Sequence, residues 1–180
     1  MLELHEVHVA FGTHNVLAGV SCVFEAGKIT GLIGDNGAGK TTLLRTAATI
    51  LSPMRGEVRL GHRALVHEDV GRRTQLGALI EKPGHYDELT VRENLVFFYS
   101  FHCSDARACQ SAASRALDTF QLDAVGDEKV GRLSTGYRQR VAVARAFHPN
   151  VRTVLLDEPL AGLDPTTRSH LKGTMRSLAH

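Results

Sequence analysis

Hydrophobic and polar residues alternate near the amino end of the chain as they do in strands. Residues 2–9 alternate leucine and valine with polar residues, and residues 16–24 are again rich in valine and leucine. A period of two places successive side chains on opposite faces of a sheet. We therefore expect an antiparallel β layer here. Another short strand is predicted at residues 58–60, between Gly56 and Gly61.

Three further apolar runs are nearly continuous rather than alternating. They lie at residues 28–33, 75–80 and 151–156. Short runs rich in aliphatic and β-branched residues are typical of buried strands. With helices between them they fit an α/β domain.

The helical period appears first at residues 41–50, where Leu43, Leu44, Ala47 and Ile50 fall on one face. This segment directly follows the apolar run at 28–33 and a glycine-rich stretch. The order strand, loop, helix is therefore predicted for this part of the chain.

A helical section of about fifty residues separates the second and third buried runs. Thr90 can cap a helix, with Glu93 three residues later completing a capping box. A second helix is expected at about 105–120, where alanines recur in register. We predict a small helical subdomain at about residues 84–135 within one domain that comprises residues 1–180.

Composition fits a globular α/β domain and excludes several classes. The chain has 180 residues, 43% of them hydrophobic and 22% charged, with a formal net charge of +2. Acidic and basic residues are mixed along the chain, so no electrostatic footprint for specific nucleic-acid binding is present. The three cysteines follow no metal-ligand spacing and are interpreted as inert thiols.

Neither a membrane anchor nor a signal peptide is evident. No stretch approaches the roughly 18 apolar residues that a spanning helix needs, and the first residues are not a basic segment leading into an apolar one. We expect a cytoplasmic protein whose membrane role, if it has one, comes through a partner.

One segment carries most of the chemical information. It satisfies the phosphate-binding pattern GxxxxGK[ST] at every constrained position, in the order Gly34-Asp35-Asn36-Gly37-Ala38-Gly39-Lys40-Thr41, with Thr42 next. Such a loop surrounds phosphates with backbone N–H groups, which requires glycines that tolerate positive φ. Lys40 would then contact the β- and γ-phosphates and Thr41 would offer its hydroxyl to Mg²⁺. The competing interpretation is a glycine-rich turn, which the predicted flanking strand and helix disfavour.

A second constellation follows the last buried run, which ends in Asp157 and Glu158. A carboxylate at the end of a core strand can hold Mg²⁺ through water, and a neighbouring one can orient or deprotonate the attacking water. We assign Asp157 to the metal and Glu158 to catalysis. An acidic turn after a strand is common by itself, and the phosphate loop gives this pair its meaning.

The remaining motifs resemble those of the ABC-type ATPases. Residues 133–140 (Leu-Ser-Thr-Gly-Tyr-Arg-Gln-Arg) look like the signature motif, residues 155–159 like the Walker B motif and residues 161–164 like the D-loop, in the order and at the spacing of the family. Without the other motifs, residues 133–140 would equally suit an ordinary capped basic helix.

The resemblance implies a P-loop NTPase core, a mostly parallel sheet with flanking helices, that binds ATP and Mg²⁺. It implies that two such domains sandwich the nucleotide, so that Ser134 and Gly136 act on the γ-phosphate held by a second nucleotide-binding domain. It further implies a transmembrane permease partner, which would hold the chain at the inner face of the cell membrane. The turn at residues 81–83 resembles that of efflux-type subunits, and we expect ATP hydrolysis coupled to export.

Two positions of the resemblance need their own hypotheses. Phe11 stands where the family stacks an aromatic ring on adenine, although it could instead plug the edge of the core. Glu81 occupies the place of the family's glutamine, where it could ligate Mg²⁺ but would add negative charge beside the γ-phosphate. Thr135 and Tyr137 replace the glycine and glutamine that the family favours in the signature.

The family also places a strand and a switch histidine beyond the D-loop, after the point where this sequence stops. From this we expect a C-terminally truncated domain that binds ATP and hydrolyses it slowly. Two alternatives remain: a soluble ABC ATPase unconnected with transport, and an ATP-binding module without efficient turnover.

Overall fold

The computed structural model describes residues 1–80, 84–103 and 105–179. They form two compact units, the first made of residues 1–76 with the end of the chain, and the second of residues 77–178. Glu81, for which a metal role is predicted, lies outside the described residues.

The first unit is built on the predicted antiparallel layer. Its strands are β1 (Leu2–Phe11), β2 (His14–Phe24), β3 (Arg55–Leu60) and the short β4 (Arg63–Ala64), in the order β2-β1-β3-β4. All neighbouring pairs are antiparallel. The leucine and valine side chains of β1 are buried, and the helix α1 (Lys40–Ala47) contacts both β1 and β2.

Two predictions for this unit are wrong. Residues 28–33 belong to no strand, and Ile33 is 100% exposed. A run with strand composition becomes a strand only where a neighbouring strand supplies hydrogen bonds. The four described strands of this sheet pair with one another and not with residues 28–33. The second wrong prediction places Ile50 on the apolar face of a helix. Helix α1 ends at Ala47, Thr49 has a left-handed φ of 55°, and Ile50 is exposed beyond the helix.

The second unit consists of a two-stranded sheet and the helical section. Strands β5 (Leu76–Leu79) and β6 (Thr153–Leu156) pair with each other, as the apolar runs at 75–80 and 151–156 predict. Between them come α3 (Val91–Tyr99), α4 (Ala106–Thr119) and α5 (Thr135–Ala146), and α6 (Pro165–Leu178) follows. A further short helix, α2 (Val70–Arg73), lies in the first unit.

Helix packing gives the second unit its core. Helices α3 and α4 contact each other, and α5 contacts both α3 and β6. Tyr99 is fully buried in this core and donates a hydrogen bond from its hydroxyl to the carbonyl of Ala144 at 2.8 Å. Because α5 lies against β6, the signature motif and the acidic turn after β6 are held within one packed body.

Candidate nucleotide-binding site

The phosphate loop has the backbone conformation that its sequence requires. Gly37 and Gly39 have φ values of 84° and 88°, in the left-handed region that L side chains rarely adopt. Gly34, the first glycine of the pattern, does not share this conformation. The loop residues Asp35, Asn36 and Ala38 are exposed.

The phosphate loop packs closely against strand β2 at Gly39. A Cβ atom on Gly39 would lie 3.1 Å from Val16 Cγ1 and 3.2 Å from the Val16 carbonyl oxygen. The loop therefore approaches the strand as closely as a residue without a side chain permits. Leu17 and Leu43 line a pocket together with the loop residues Ala38, Gly39 and Lys40.

The N-cap position of helix α1 has no side chain that could satisfy the first backbone N–H groups of the helix. Gly39 is its N-cap and supplies no side-chain hydrogen bond, and no acidic residue occupies the first turn. The backbone N–H groups and the positive dipole end of a helix start are the features that bind phosphate. Lys40, Thr41 and Thr42, all assigned to the nucleotide, form this first turn.

The Lys40 side chain folds back over the loop. Its Nζ donates hydrogen bonds to the carbonyl oxygens of Gly34 and Asp35, each at 2.7 Å. These two bonds hold the ammonium group against the loop, where it adds a positive charge to the partial charges of the loop's N–H groups. The loop is thus equipped to bind a polyphosphate.

Phe11 lies at the end of β1 and is 52% exposed. It pairs with His14 across the turn that connects β1 to β2. This exposure argues against the alternative in which Phe11 plugs the edge of the core, and it leaves the ring accessible for stacking.

In the second unit, Asp157 and Glu158 follow β6 directly. The Asp157 N–H donates to the carbonyl of Leu79 at 2.7 Å, which extends the pairing of β6 with β5. Glu158 is exposed and has a φ of 46°. The next turn closes through a 3.0 Å bond from the Ala161 N–H to the Glu158 carbonyl.

The signature motif opens α5. Ser134 is the N-cap, and its Oγ accepts from the Tyr137 N–H at 3.5 Å, close to the limit for a hydrogen bond. A Cβ built on Gly136 would lie 3.8 Å from Leu163 of the D-loop. The start of α5 and the D-loop therefore lie against each other, and Ser134 remains exposed.

The two departures from the family signature have local structural roles. The ring of Tyr137 lies under the Arg140 guanidinium, with the Arg140 Cζ 4.2 Å from its centroid. The Thr135 methyl group is 3.8 Å from the position that a Cβ on Gly162 would take.

Asp164, the last residue of the D-loop, caps α6. Its Oδ1 accepts hydrogen bonds from the N–H groups of Thr166 and Thr167, each at 3.0 Å. Hydrogen bonds from Thr167, through its side chain first and its backbone second, lower the pKa of the Asp164 carboxyl. The D-loop is thereby fixed to the helix that follows it.

Each unit by itself contains an oxygen donor of the kind that Mg²⁺ prefers. Among the described residues no group of three or more His, Cys, Asp or Glu side chains could hold a metal ion alone. Mg²⁺ is usually held by one or two protein oxygen ligands together with substrate phosphates and water. The Thr41 hydroxyl and the Asp157 carboxylate are oxygen ligands of this type.

Comparison with known proteins decides the family. The family described as "ABC transporter" matches residues 17–161, which include the phosphate loop, the signature and the acidic turn. The chain belongs to the ABC transporter family.

Relatives in this family are named for both import and export. The chain is 33% identical over 98% of its length to the sulfate/thiosulfate import ATP-binding protein CysA of Synechococcus elongatus, of which it covers 51%. It is 32% identical over 98% of its length to the Nod factor export ATP-binding protein I of Paraburkholderia xenovorans, of which it covers 58%. The chain thus spans about half the length of the curated relatives it matches.

Solved ABC proteins share the fold. A structure described as the ATP binding subunit of an ABC transporter has a TM-score of 0.87 and 27% identity, covering 99% of this chain and 75% of that one. A dimeric ATP-binding cassette bound to ADP and Pi has the same TM-score of 0.87 at 24% identity, covering 100% and 83%. The predicted fold class, a P-loop NTPase core with an antiparallel layer and helices, is confirmed.

None of the helices among the described residues is both long and apolar enough to cross a bilayer.

Two residues that contact the phosphate loop and the acidic turn, Val16 and Gln139, were not predicted from the sequence. Val16 lies directly beneath Gly39, and Gln139 contacts the turn after Glu158. Gln139 is part of the signature, but its partner is 20 residues away in sequence, so no local pattern indicates it.

Proposed function

We propose that this chain is the ATP-binding part of an ABC transporter, which couples ATP binding and hydrolysis to transport by a separate membrane-spanning subunit. The observation that carries the proposal is the phosphate loop, where two left-handed glycines lead into the uncapped start of α1. The import and export relatives support the link to transport.

Each assigned residue has a distinct task. Phe11 stacks on the adenine ring. Gly34, Asp35, Asn36, Gly37, Ala38 and Gly39 form the loop around the phosphates, Lys40 neutralises the β- and γ-phosphates, and Thr41 and Thr42 contribute the start of α1. The residues that would hold Mg²⁺ are Thr41, Asp157 and Glu81, and the ion would offset phosphate charge.

Glu158 is the catalytic residue of the proposal. It orients the attacking water and accepts its proton, and its exposed carboxylate is accessible for that role. Ser134 and Gly136 contact the γ-phosphate of a nucleotide held by a second copy of the domain, since the start of α5 carries the positive end of the helix dipole.

The partner and location follow from the transport role. A permease subunit would place this chain at the cytoplasmic face of the membrane. Because relatives of similar identity are named for import and for export, efflux stays a prediction.

The variant Glu158→Gln tests the proposal. The amide keeps the size of the side chain but cannot accept the proton, so hydrolysis should fall about 100-fold or more while magnesium-dependent ATP binding persists. Glu128→Gln, an exposed site in the helical section, is the matched control and should leave both unchanged. Equal turnover in Glu158→Gln and the unchanged chain would contradict the catalytic assignment, and turnover that is absent from the unchanged chain would favour a binding module.

A further inference from the structure

The backbone at Glu158 adopts a conformation that needs support. Its φ of 46° lies in the left-handed region, where a residue with a Cβ is less stable by about 1–2 kcal/mol. Conformations of this kind persist only when the surrounding structure holds them, and they concentrate at functional sites. The direction of the Glu158 carboxylate therefore depends on what fixes the turn.

The described structure fixes this turn from three sides. On the amino side, the Asp157 N–H is bonded to Leu79, and within the turn the Ala161 N–H is bonded to the Glu158 carbonyl. On the carboxyl side, the Nε2 of Gln139 donates to the carbonyl of Pro159 at 3.0 Å. Since a carbonyl oxygen only accepts, the amide nitrogen of Gln139 must face it.

Gln139 can serve as a fixed anchor because of where it lies. It is half-buried, in the second turn of α5, and the four residues Val141, Ala142, Val143 and Ala144 that follow it are buried in the core of the unit. The start of the same helix touches the D-loop at Leu163. A rigid helix thus presents one amide group to the carbonyl of Pro159, the residue that directly follows Glu158.

We propose that Gln139 is a positioning residue for Glu158. By holding the Pro159 carbonyl it keeps Glu158 in its left-handed conformation and its carboxylate directed at the attacking water. This inference rests on the proposed role of Glu158. Gln139 itself contacts no nucleotide and acts only through the turn.

The experiment compares four versions of the chain: the unchanged protein, Gln139→Met, Gln139→Lys and Gln110→Met. Methionine has nearly the shape of glutamine but no donor, whereas lysine retains an N–H donor at the end of a long chain. Gln110 is an exposed residue of α4 and provides the matched control. Each chain is assayed for ATP hydrolysis under single-turnover conditions and for binding of a fluorescent ATP analogue with Mg²⁺.

We expect Gln139→Met to lower the single-turnover rate about tenfold, the effect of losing one well-oriented hydrogen bond, while the analogue Kd changes less than about twofold. Gln139→Lys should recover most of the rate, and Gln110→Met should match the unchanged chain. A purely structural role for Gln139 would instead weaken binding and hydrolysis together.

Unchanged hydrolysis in Gln139→Met, parallel loss of rate and affinity, or no recovery with lysine would each overturn the inference. Should Gln139→Met fail to fold, Gln139→Glu gives the same contrast, because a carboxylate cannot donate to the Pro159 carbonyl. A failure of the proposed function is distinguishable: the unchanged chain would then bind no ATP, or bind it without turnover, and the inference would fall with it.

Discussion

At the scale of single residues, the phosphate loop depends on two glycines for different reasons. Gly37 and Gly39 share nearly the same left-handed φ. A Cβ on Gly37 would meet nothing within 4 Å, whereas one on Gly39 would press on the side chain and the carbonyl oxygen of Val16. The first glycine is required by backbone conformation alone, the second by conformation and space.

This difference predicts unequal costs for the same substitution. Gly37→Ala should lower the free energy of unfolding by about 1–2 kcal/mol, the cost of a left-handed L residue. Gly39→Ala should lower it by about 1–3 kcal/mol more, because the added methyl group overpacks against β2. Urea denaturation of both variants measures the difference, and equal destabilisation would show that the loop is not seated on Val16 as described.

The glycine pattern was predictable because its requirement is local. A loop that surrounds phosphate needs positive φ wherever the sequence pattern has its inner glycines, and Gly37 and Gly39 meet it. The support from Val16 was not predictable, because it depends on how β2 passes under the loop. Gln139 escaped prediction for the same reason.

At the scale of elements, helix starts were well predicted and one strand was not. Thr90 and Glu93 form the reciprocal capping box that their spacing indicates, with bonds of 3.1 and 2.7 Å. Caps are set by residues three apart, so sequence reveals them. The run at 28–33 has strand composition, but a strand also needs a neighbour to pair with, and that information is not local.

Removing the helix caps Thr90 and Ser134 should have opposite effects on stability and on ATP hydrolysis. Thr90→Ala breaks a well-formed box and should lower the free energy of unfolding by about 1 kcal/mol with ATP hydrolysis unchanged. Ser134→Ala loses only a 3.5 Å contact and should cost a few tenths of a kcal/mol at most, yet reduce hydrolysis if Ser134 contacts phosphate. Denaturation and steady-state turnover separate them. A stability loss at Ser134 equal to that at Thr90, with hydrolysis intact, would reduce the signature serine to an ordinary cap.

The second unit also contains a buried histidine, which makes the free energy of unfolding depend on pH. His148 is 5% exposed, and its Nδ1 accepts a hydrogen bond from the Asn150 N–H at 3.0 Å. Burial first, and the neighbouring His102 and Arg115 next, lower the pKa of His148 to about 4. The unfolded chain, with a histidine pKa of about 6.5, therefore takes up the proton first as the pH falls.

Stability should consequently decrease between about pH 6.5 and pH 4, the window in which the unfolded state binds more protons than the folded state. His148→Gln should remove only part of this pH dependence of the urea midpoint, because a second histidine contributes to it. Burial, and next the charges of Arg145 and Arg138, likewise lower the pKa of His85 to about 4. His14→Gln, at an exposed position of β2, should leave the pH dependence unchanged. An identical pH profile for His148→Gln and the unchanged protein would contradict a neutral, buried His148.

At the scale of the whole molecule, the family could be predicted because its motifs are distributed over most of the chain. The phosphate loop, signature, Walker B and D-loop sequences lie in order between residues 34 and 164, and the family match covers residues 17–161. No comparable signal specifies a transported substrate, because under the proposed function the side chains that bind it would belong to a separate membrane-spanning subunit. The direction of transport is hidden for the same reason.

The central claim is that the loop around Lys40 binds the phosphates of ATP. Its most direct test is equilibrium binding of ATP to the purified chain with and without Mg²⁺, beside Lys40→Met, which removes the ammonium group but keeps a long side chain. The account predicts saturable, magnesium-strengthened binding that Lys40→Met weakens at least about tenfold, the cost of losing one charge-assisted contact. Absence of binding, or equal affinity in the two chains, would contradict it.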